Sequence, residues 1–372
     1  MTAKPQQTII QIVPFRSANP DGIGDYAVQL AARLRADYDL NTQFIGCNPN
    51  EAQPANDGWP TTTLESRSPA ELFDTLERQS RSSPSAALLL HVAGYGYEKR
   101  GAPFWLLNGL RRWRRHAPRQ QLLCIFHELY AAGPIWNSSF WLSAVQKHVT
   151  RELWKISDTG ITTNSTYQRE LASWRPNDTG RLHLMPVPSN VGEPAGITPF
   201  EQRPHRAAVF GRAGVEHIVY GVEAATFAQS IEDLGIGEIV DMGSRQGEVP
   251  SAIGGAPVKA LGRLPARDIS RELLNCRFGF SSYDIARLGR STIFAAYAAH
   301  GVIPVCHGSS GARPGEGLAM NHHFLQLPAV TPAAAELNAM QSALVSWYGA
   351  HNLDTLASLM AGLCGGARAN AA

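Results

Sequence analysis

Short apolar runs of strand length recur along this chain, each followed by a stretch with helical periodicity. That alternation constrains the fold more than any other feature. The runs TIIQIVPF from Thr8, TQFIGC from Thr42, AALLLHVAG from Ala86, QLLCIFHE from Gln121 and TGITTN from Thr159 are largely continuous in Val, Ile, Leu and Phe. Strands of that kind are buried on both faces. Between them Ala27, Leu30, Ala31 and Leu34 mark one side of a helix, and AELFDTLERQ and FWLLNGLRRW carry the same stripe. A βα rhythm closes into a parallel, doubly wound sheet covered on both sides by helices.

The rhythm breaks once. After LHLMPVPSN comes VGEPAGITPFEQRPHR, residues 191–206, rich in Pro and Gly and without a helical period. A second series then starts at AAVFG and runs through GEIVDMG, VKALGRL, CRFGFSSY, GVIPVCH and HFLQLP. At 372 residues the chain exceeds one ordinary core. The expected architecture is α/β: two Rossmann-like doubly wound domains facing a cleft. Residues 1–190 form the first, 191–206 a linker, 207–350 the second, and 351–372 a C-terminal helix and tail.

Lys and Arg number 33 against 31 Asp and Glu, a formal charge of +2 that gives no reason to expect nucleic acid. One basic cluster stands out, Arg111 to Arg115. It is either the solvated face of a helix or a peripheral contact with an anionic membrane surface. The five cysteines form no CxxC pair, so they read as buried thiols in a reducing compartment. No run of about 18 apolar residues occurs, and a cytoplasmic protein is expected. His322 and His323 are adjacent and lack partners at ligand spacing, so no metal site is expected.

In an open parallel sheet, ligands lie beyond the carboxyl ends of the strands. Five such edges carry suggestive residues. After the first strand, Asp21, Gly22 and Gly24 form a turn into a helix, either a tight structural turn or a place where an anion approaches backbone amides. After LLCIF, His127 and Glu128 stand together, either as structural residues or as groups that bind hydroxyls and exchange protons. Gly211, Arg212, Glu216 and His217 follow the first strand of the second series. An arginine there can clamp a diphosphate at two points. In SSYDIARLGRST, Asp284, Arg287, Gly289, Arg290, Ser291 and Thr292 suggest a diphosphate cradle at a helix start, part of which simple capping by Ser291 would explain. The fifth edge, CHGSSGARPGEG, lacks the spacing of a serine nucleophile elbow and is either a ligand-closing loop or a mobile one.

Together, DGIGDYAVQLAARL, TTNSTYQRELASW, PVPSN, FGRAGVEH, GRLPARDISRELLNCRFGFSSYD and AAYAAHGVIPV resemble a glycosyltransferase of the GT-B fold, similar to retaining glycosyltransferase family four. The resemblance spans most of the chain. It implies a nucleotide-sugar donor held by the second domain, with Gly22, Gly24, Gly211, Arg212, His217, Arg287, Gly289, Arg290, Ser291 and Thr292 as donor-binding residues. It also implies a glycan, lipid-linked or other hydroxyl acceptor on the side of the first domain, and neither metal nor other cofactor. His127, Glu128 and Asp284 are the candidate catalytic groups. The sequence departs from the family at His217, where a lysine is usual, and at the two glutamates of the EX7E motif, which fall on Leu288 and Ala296. A non-catalytic sugar-nucleotide-binding protein and a nucleotide-sugar isomerase are the competing readings.

Overall fold

The computed structural model describes residues 7–16, 21–50, 55–82, 87–131, 138–211, 218–244, 247–307, 313–329 and 331–365. The chain divides into two compact units, one of Met1–Met185 with Leu353–Ala372, the other of Pro186–Asn352.

The first unit is built on β1 (Thr8–Val13), β2 (Asn41–Gly46), β3 (Thr61–Thr63), β4 (Ala87–Val92), β5 (Leu122–Phe126), β6 (Thr159–Thr162) and β7 (Leu182–Leu184). They form a parallel sheet in the order β3-β2-β1-β4-β5-β6-β7. Its described helices before the second unit are α1 (Gly22–Tyr38), α2 (Pro69–Ser82), α3 (Gly94–Tyr97), α4 (Phe104–His116), α5 (Ser138–Ile156) and α6 (Ser165–Trp174). Successive strand residues point to opposite faces. Ile10, Ile12, Leu88, Leu90, Leu122, Cys124 and Phe126 therefore join Leu72 of α2, Leu110 and Trp113 of α4 and Trp154 of α5 in one core. Ile9, Leu89, Leu123 and Ile125 join Tyr26, Leu30 and Leu34 of α1 in another. The chain order reverses between β1 and β4, which makes their carboxyl ends the natural crevice of this sheet.

The second unit repeats the plan. Strands β8 (Arg206–Phe210), β9 (Glu238–Met242), β10 (Ala252–Ile253), β11 (Ala256–Gly262), β12 (Phe278–Ser281), β13 (Ile303–Cys306) and β14 (Leu325–Gln326) run in the order β10-β11-β9-β8-β12-β13-β14. Only β10 is antiparallel to its neighbour among these pairings. Helices α7 (Ala224–Asp233) and α10 (Ala334–Gly349) cover one face, α8 (Ala266–Leu274) and α9 (Thr292–Ala299) the other. The small residues of α9 let it lie close to the sheet, and Tyr297 hydrogen-bonds into it, its hydroxyl 3.0 Å from the Phe280 carbonyl oxygen.

Two segments differ from the sequence expectation. Residues 191–206, expected as a linker, belong to the second unit. The buried Arg203 guanidinium donates to the carbonyls of Thr198, Cys276 and His300 at 2.9, 2.7 and 2.6 Å, and the Phe200 N–H donates to Gln341 Oε1 at 3.0 Å. Pro and Gly remove helical period but do not prevent a chain from being pinned through its carbonyls. The last described helix, α11 (Leu353–Leu363), returns to the first unit, where Leu356, Ala357 and Met360 enter the α1 core and Asp354 pairs with Arg33. Among the described residues, no helix is long and apolar enough to cross a membrane.

Candidate functional site

In the first unit the crevice edge is occupied by a chain of polar side chains on one face of the sheet. Gln11, His91 and His127 continue the same alternating rows as Ile9, Leu89 and Ile125. His91 stands two residues beyond the level of Gln11, and His127 two beyond that of His91, since Gln11 is level with Leu89 and His91 with Ile125. That diagonal spacing lets long side chains touch. Gln11 Oε1 lies 2.8 Å from His91 Nε2, and His91 Nδ1 lies 3.0 Å from His127 Nε2. Gln11 Nε2 donates to the Ala27 carbonyl of α1 at 3.4 Å.

Gln11 and His91 are wholly buried, whereas His127 is only partly so. Burial, followed by the neighbouring His127, pushes the His91 imidazole well below its usual value and keeps it neutral. Tyr26 of α1 packs edge-on against both rings, with centroids 5.8 Å from His91 and 5.1 Å from His127. Its buried hydroxyl has no hydrogen-bond partner among the described residues. Below the edge, Tyr97 clamps β1 to β4, its hydroxyl 2.8 Å from the His91 carbonyl oxygen and 3.1 Å from that of Ile12. Glu128, expected beside His127 as a working pair, is exposed on the next residue.

At the start of α1 the structure favours the structural side of the alternatives. Asp21 caps the helix, its carboxylate accepting from the Gly24 N–H at 2.7 Å. The amide that an anion would seek is already bonded to an anion. Gly22 is exposed with open space around it, so it stays accessible without being demanded by packing.

In the second unit, Arg287, Gly289 and Ser291 of the expected pyrophosphate cradle already have other partners. Asp284 caps a short 3-10 turn, Ile285–Arg290, through the Ala286 N–H, and pairs with Arg287 at 3.6 Å; the Arg287 side chain is 62% exposed. Gly289 is buried. A Cβ there would lie 2.8 Å from Glu316 Oε2, so a carboxylate already covers this position. Ser291, at 3% exposure, caps α9 by accepting from the Phe294 N–H at 3.2 Å. A covering carboxylate and a satisfied cap disfavour a second anion. Thr292 opens α9, and Gly211 is buried at the end of β8, its N–H donating to the Met242 carbonyl at 3.2 Å. Arg212 and His217 lie outside the described residues.

A different feature occupies the carboxyl edge of this sheet. Beyond β12 and β13 a small recess, with a cavity volume of about 10 Å3, is lined by Ser281, Ser282, Phe280, His307, Leu327 and, from the entry to α7, Glu223. Glu223 and His307 are 3.6 Å apart, so a carboxylate, an imidazole and two hydroxyl residues share one apolar-walled recess.

No protein-family model matches the sequence, and no curated protein is found similar to it. Solved structures match over nearly the whole chain. The pneumococcal O-GlcNAc transferase GtfA in complex with UDP and GlcNAc aligns with a TM-score of 0.59 at 10% identity, over 97% of this chain and 99% of that one. The Anabaena protein HepE in complex with UDP-glucose aligns at 0.58 and 12% identity, over 96% and 99%. A Listeria monocytogenes protein assigned as a UDP-N-acetylglucosamine 2-epimerase aligns at 0.56 and 10%, over 97% and 96%. The fold is GT-B.

Within the GT-B frame, Leu288 and Ala296, which stand at the two motif glutamates, are fully buried among apolar residues. They are core positions here. The basic cluster is also accounted for largely by packing. Arg111 pairs with Glu152, Arg114 with Asp158, and Arg112 lies over the Phe73 ring at 4.0 Å. Trp105 and Trp113 are buried in the α2–α4 core. Of the four arginines between Arg111 and Arg115, two are thus ion-paired on the same unit, and Arg112 and Arg115 keep their charge.

Sequence reasoning named His127 as a candidate and did not name Gln11, His91, Glu223 or Ser282. A signal for the first two was present: each is a lone polar residue inside an otherwise apolar strand run, at the same parity as the strand-end histidine.

Proposed function

We propose that this protein transfers a sugar from a nucleoside diphosphate sugar to a hydroxyl acceptor. The observation that carries the reading is the match of both units together, over 96 to 97% of the chain, to structures holding UDP with GlcNAc and UDP-glucose. The second unit holds the donor at the carboxyl edge of its sheet, where Glu223, His307, Ser281 and Ser282 line a small recess; Glu223 offers the carboxylate that Leu288 and Ala296 do not. Arg212, Arg290 and His217 remain candidates for the diphosphate. Charge that builds on the departing phosphate is stabilised there by fixed donors rather than by water. On the first unit His127 orders the acceptor hydroxyl and takes its proton. Transfer with retention and without metal is the form that the resemblance to family four favours.

The test is release of nucleoside diphosphate from a panel of donors, with and without hydroxyl acceptors. Acceptor-stimulated release is expected, and His127→Ala should lower it by about a hundredfold or more. A second reading, a binding protein without turnover, is favoured by the burial of Leu288 and Ala296 as core residues. Tight donor binding with no release across the whole panel would establish it. Release of an isomerised donor with no acceptor present would instead match the epimerase likeness.

A further inference from the structure

Among the described residues few large apolar side chains stand in water, and four of them, Tyr95, Phe104, Trp141 and Val145, belong to the first unit. They sit together. Trp141 and Val145 are one turn apart on the same side of α5, and Tyr95 lies on α3. Phe104 opens α4, its ring centroid 6.5 Å from that of His148, one turn further along α5. A single buried amide knits these segments. Gln146 Oε1 accepts from the Ala131 N–H at 2.8 Å, while its Nε2 lies 2.9 Å from both the Tyr95 hydroxyl oxygen and the Arg100 carbonyl oxygen. The apolar groups are therefore held on one fixed platform. Trp141 is 72% exposed and the other three 40 to 45%. A contiguous apolar surface of this kind marks a contact site, as scattered single residues would not.

Cations rim the patch. Lys99 and Arg100 are exposed in the turn between α3 and α4, and Arg151 is exposed three residues beyond His148 on α5. None of the three is in an ion pair among the described residues. Glu98 shares that turn, its carboxylate taking the Lys99 N–H at 3.0 Å, and Glu152 is paired with both Arg111 and Lys155. These residues together keep a net positive charge. A second copy of the chain would set the like charges against one another across a two-fold axis. Tyr and Trp, apolar in body and polar at the tip, beside unpaired Lys and Arg are the composition that rests at the headgroup level of a bilayer. We propose that this face of the first unit docks on an anionic phospholipid bilayer, with Trp141, Phe104 and Val145 entering the headgroup boundary and Lys99, Arg100 and Arg151 meeting the lipid phosphates. The inference stands independently of the transferase reading.

The experiment is co-sedimentation of the full-length protein with vesicles of phosphatidylcholine alone and of phosphatidylcholine with about 30% phosphatidylglycerol. Binding to the anionic vesicles should be at least about tenfold tighter than to the neutral ones, and about 0.5 M salt should release most of it. Trp141→Ser should weaken the partition about tenfold. Phe104→Ser tests the same face should that variant not fold. Lys99→Glu combined with Arg100→Glu should weaken binding to the anionic vesicles by about tenfold or more and leave binding to the neutral ones unchanged. Lipids brominated along their acyl chains should quench part of the tryptophan emission of the wild type, and less of that of Trp141→Phe. No preference for anionic vesicles, or full binding by a folded Trp141→Ser protein, overturns the proposal. So does a dimer that forms without vesicles and that Trp141→Ser dissociates, which would assign the face to a second copy.

Discussion

At the residue scale, burial of single polar groups sets both the chemistry and the acid sensitivity. Burial pushes the imidazoles of His300 and His351 down from 6.5 to about 4. The unfolded chain therefore binds more protons than the native one between those values. Their contribution is complete above about pH 6.5 and is lost as pH falls towards 4. The denaturation midpoint should drop across that interval. His300 is held by Ser270 and the Ala296 carbonyl at 2.7 Å each, whereas neither ring nitrogen of His351 meets a hydrogen-bond partner among the described residues beyond its own backbone. His351→Leu should thus raise stability by about 1–2 kcal/mol at neutral pH and flatten the acid limb, as measured by urea unfolding. On the donor side, Glu223→Gln should weaken nucleoside diphosphate binding about tenfold by calorimetry, with circular dichroism unchanged, because it alters a partly exposed wall of the recess and not the core. An unchanged affinity would remove Glu223 from the site. Neither His351 nor Glu223 could be judged from its neighbours in sequence. His91 illustrates why: its run, AALLLHVAG, is apolar on both sides, and the residues that give it meaning come from two other strands.

At the element scale, most of the architecture was readable because each strand and helix is specified by its own residues. Unbroken Val, Ile and Leu runs become central strands, and i, i+3, i+4 stripes become helices covering them. The short edge strands β3 and β10 escaped, since three or two residues carry too little pattern to register. Helix α11 was visible as a helix but not as a part of the first unit. Its partners, Leu30 and Leu34, lie more than three hundred positions earlier, and only packing joins them. Leu356 and Met360 are completely or almost completely buried there and together contribute roughly 4 kcal/mol. A chain ending at Asn352 should lose on the order of 10 °C in the melting of the first unit and expose apolar surface to a hydrophobic dye. Full retention of that melting temperature would show that α11 adds nothing to the core.

At the scale of the whole molecule, each unit has its own sheet and its own cores, so calorimetry should resolve two unfolding transitions. UDP or another nucleoside diphosphate should raise only the transition of the second unit, through preferential binding to its native state. A shift confined to the first unit would reverse the assignment of donor and acceptor sides. The sequence by itself determined the two doubly wound halves, because strand burial and helical stripe are local properties. Only the tertiary structure decided which polar groups meet. It placed Glu316 over Gly289, gathered Glu223 and His307 into a small recess, and linked Gln11 to His91 and His127. Hydrogen bonds between distant segments depend on strand order and register, and those become fixed only when the sheet has formed.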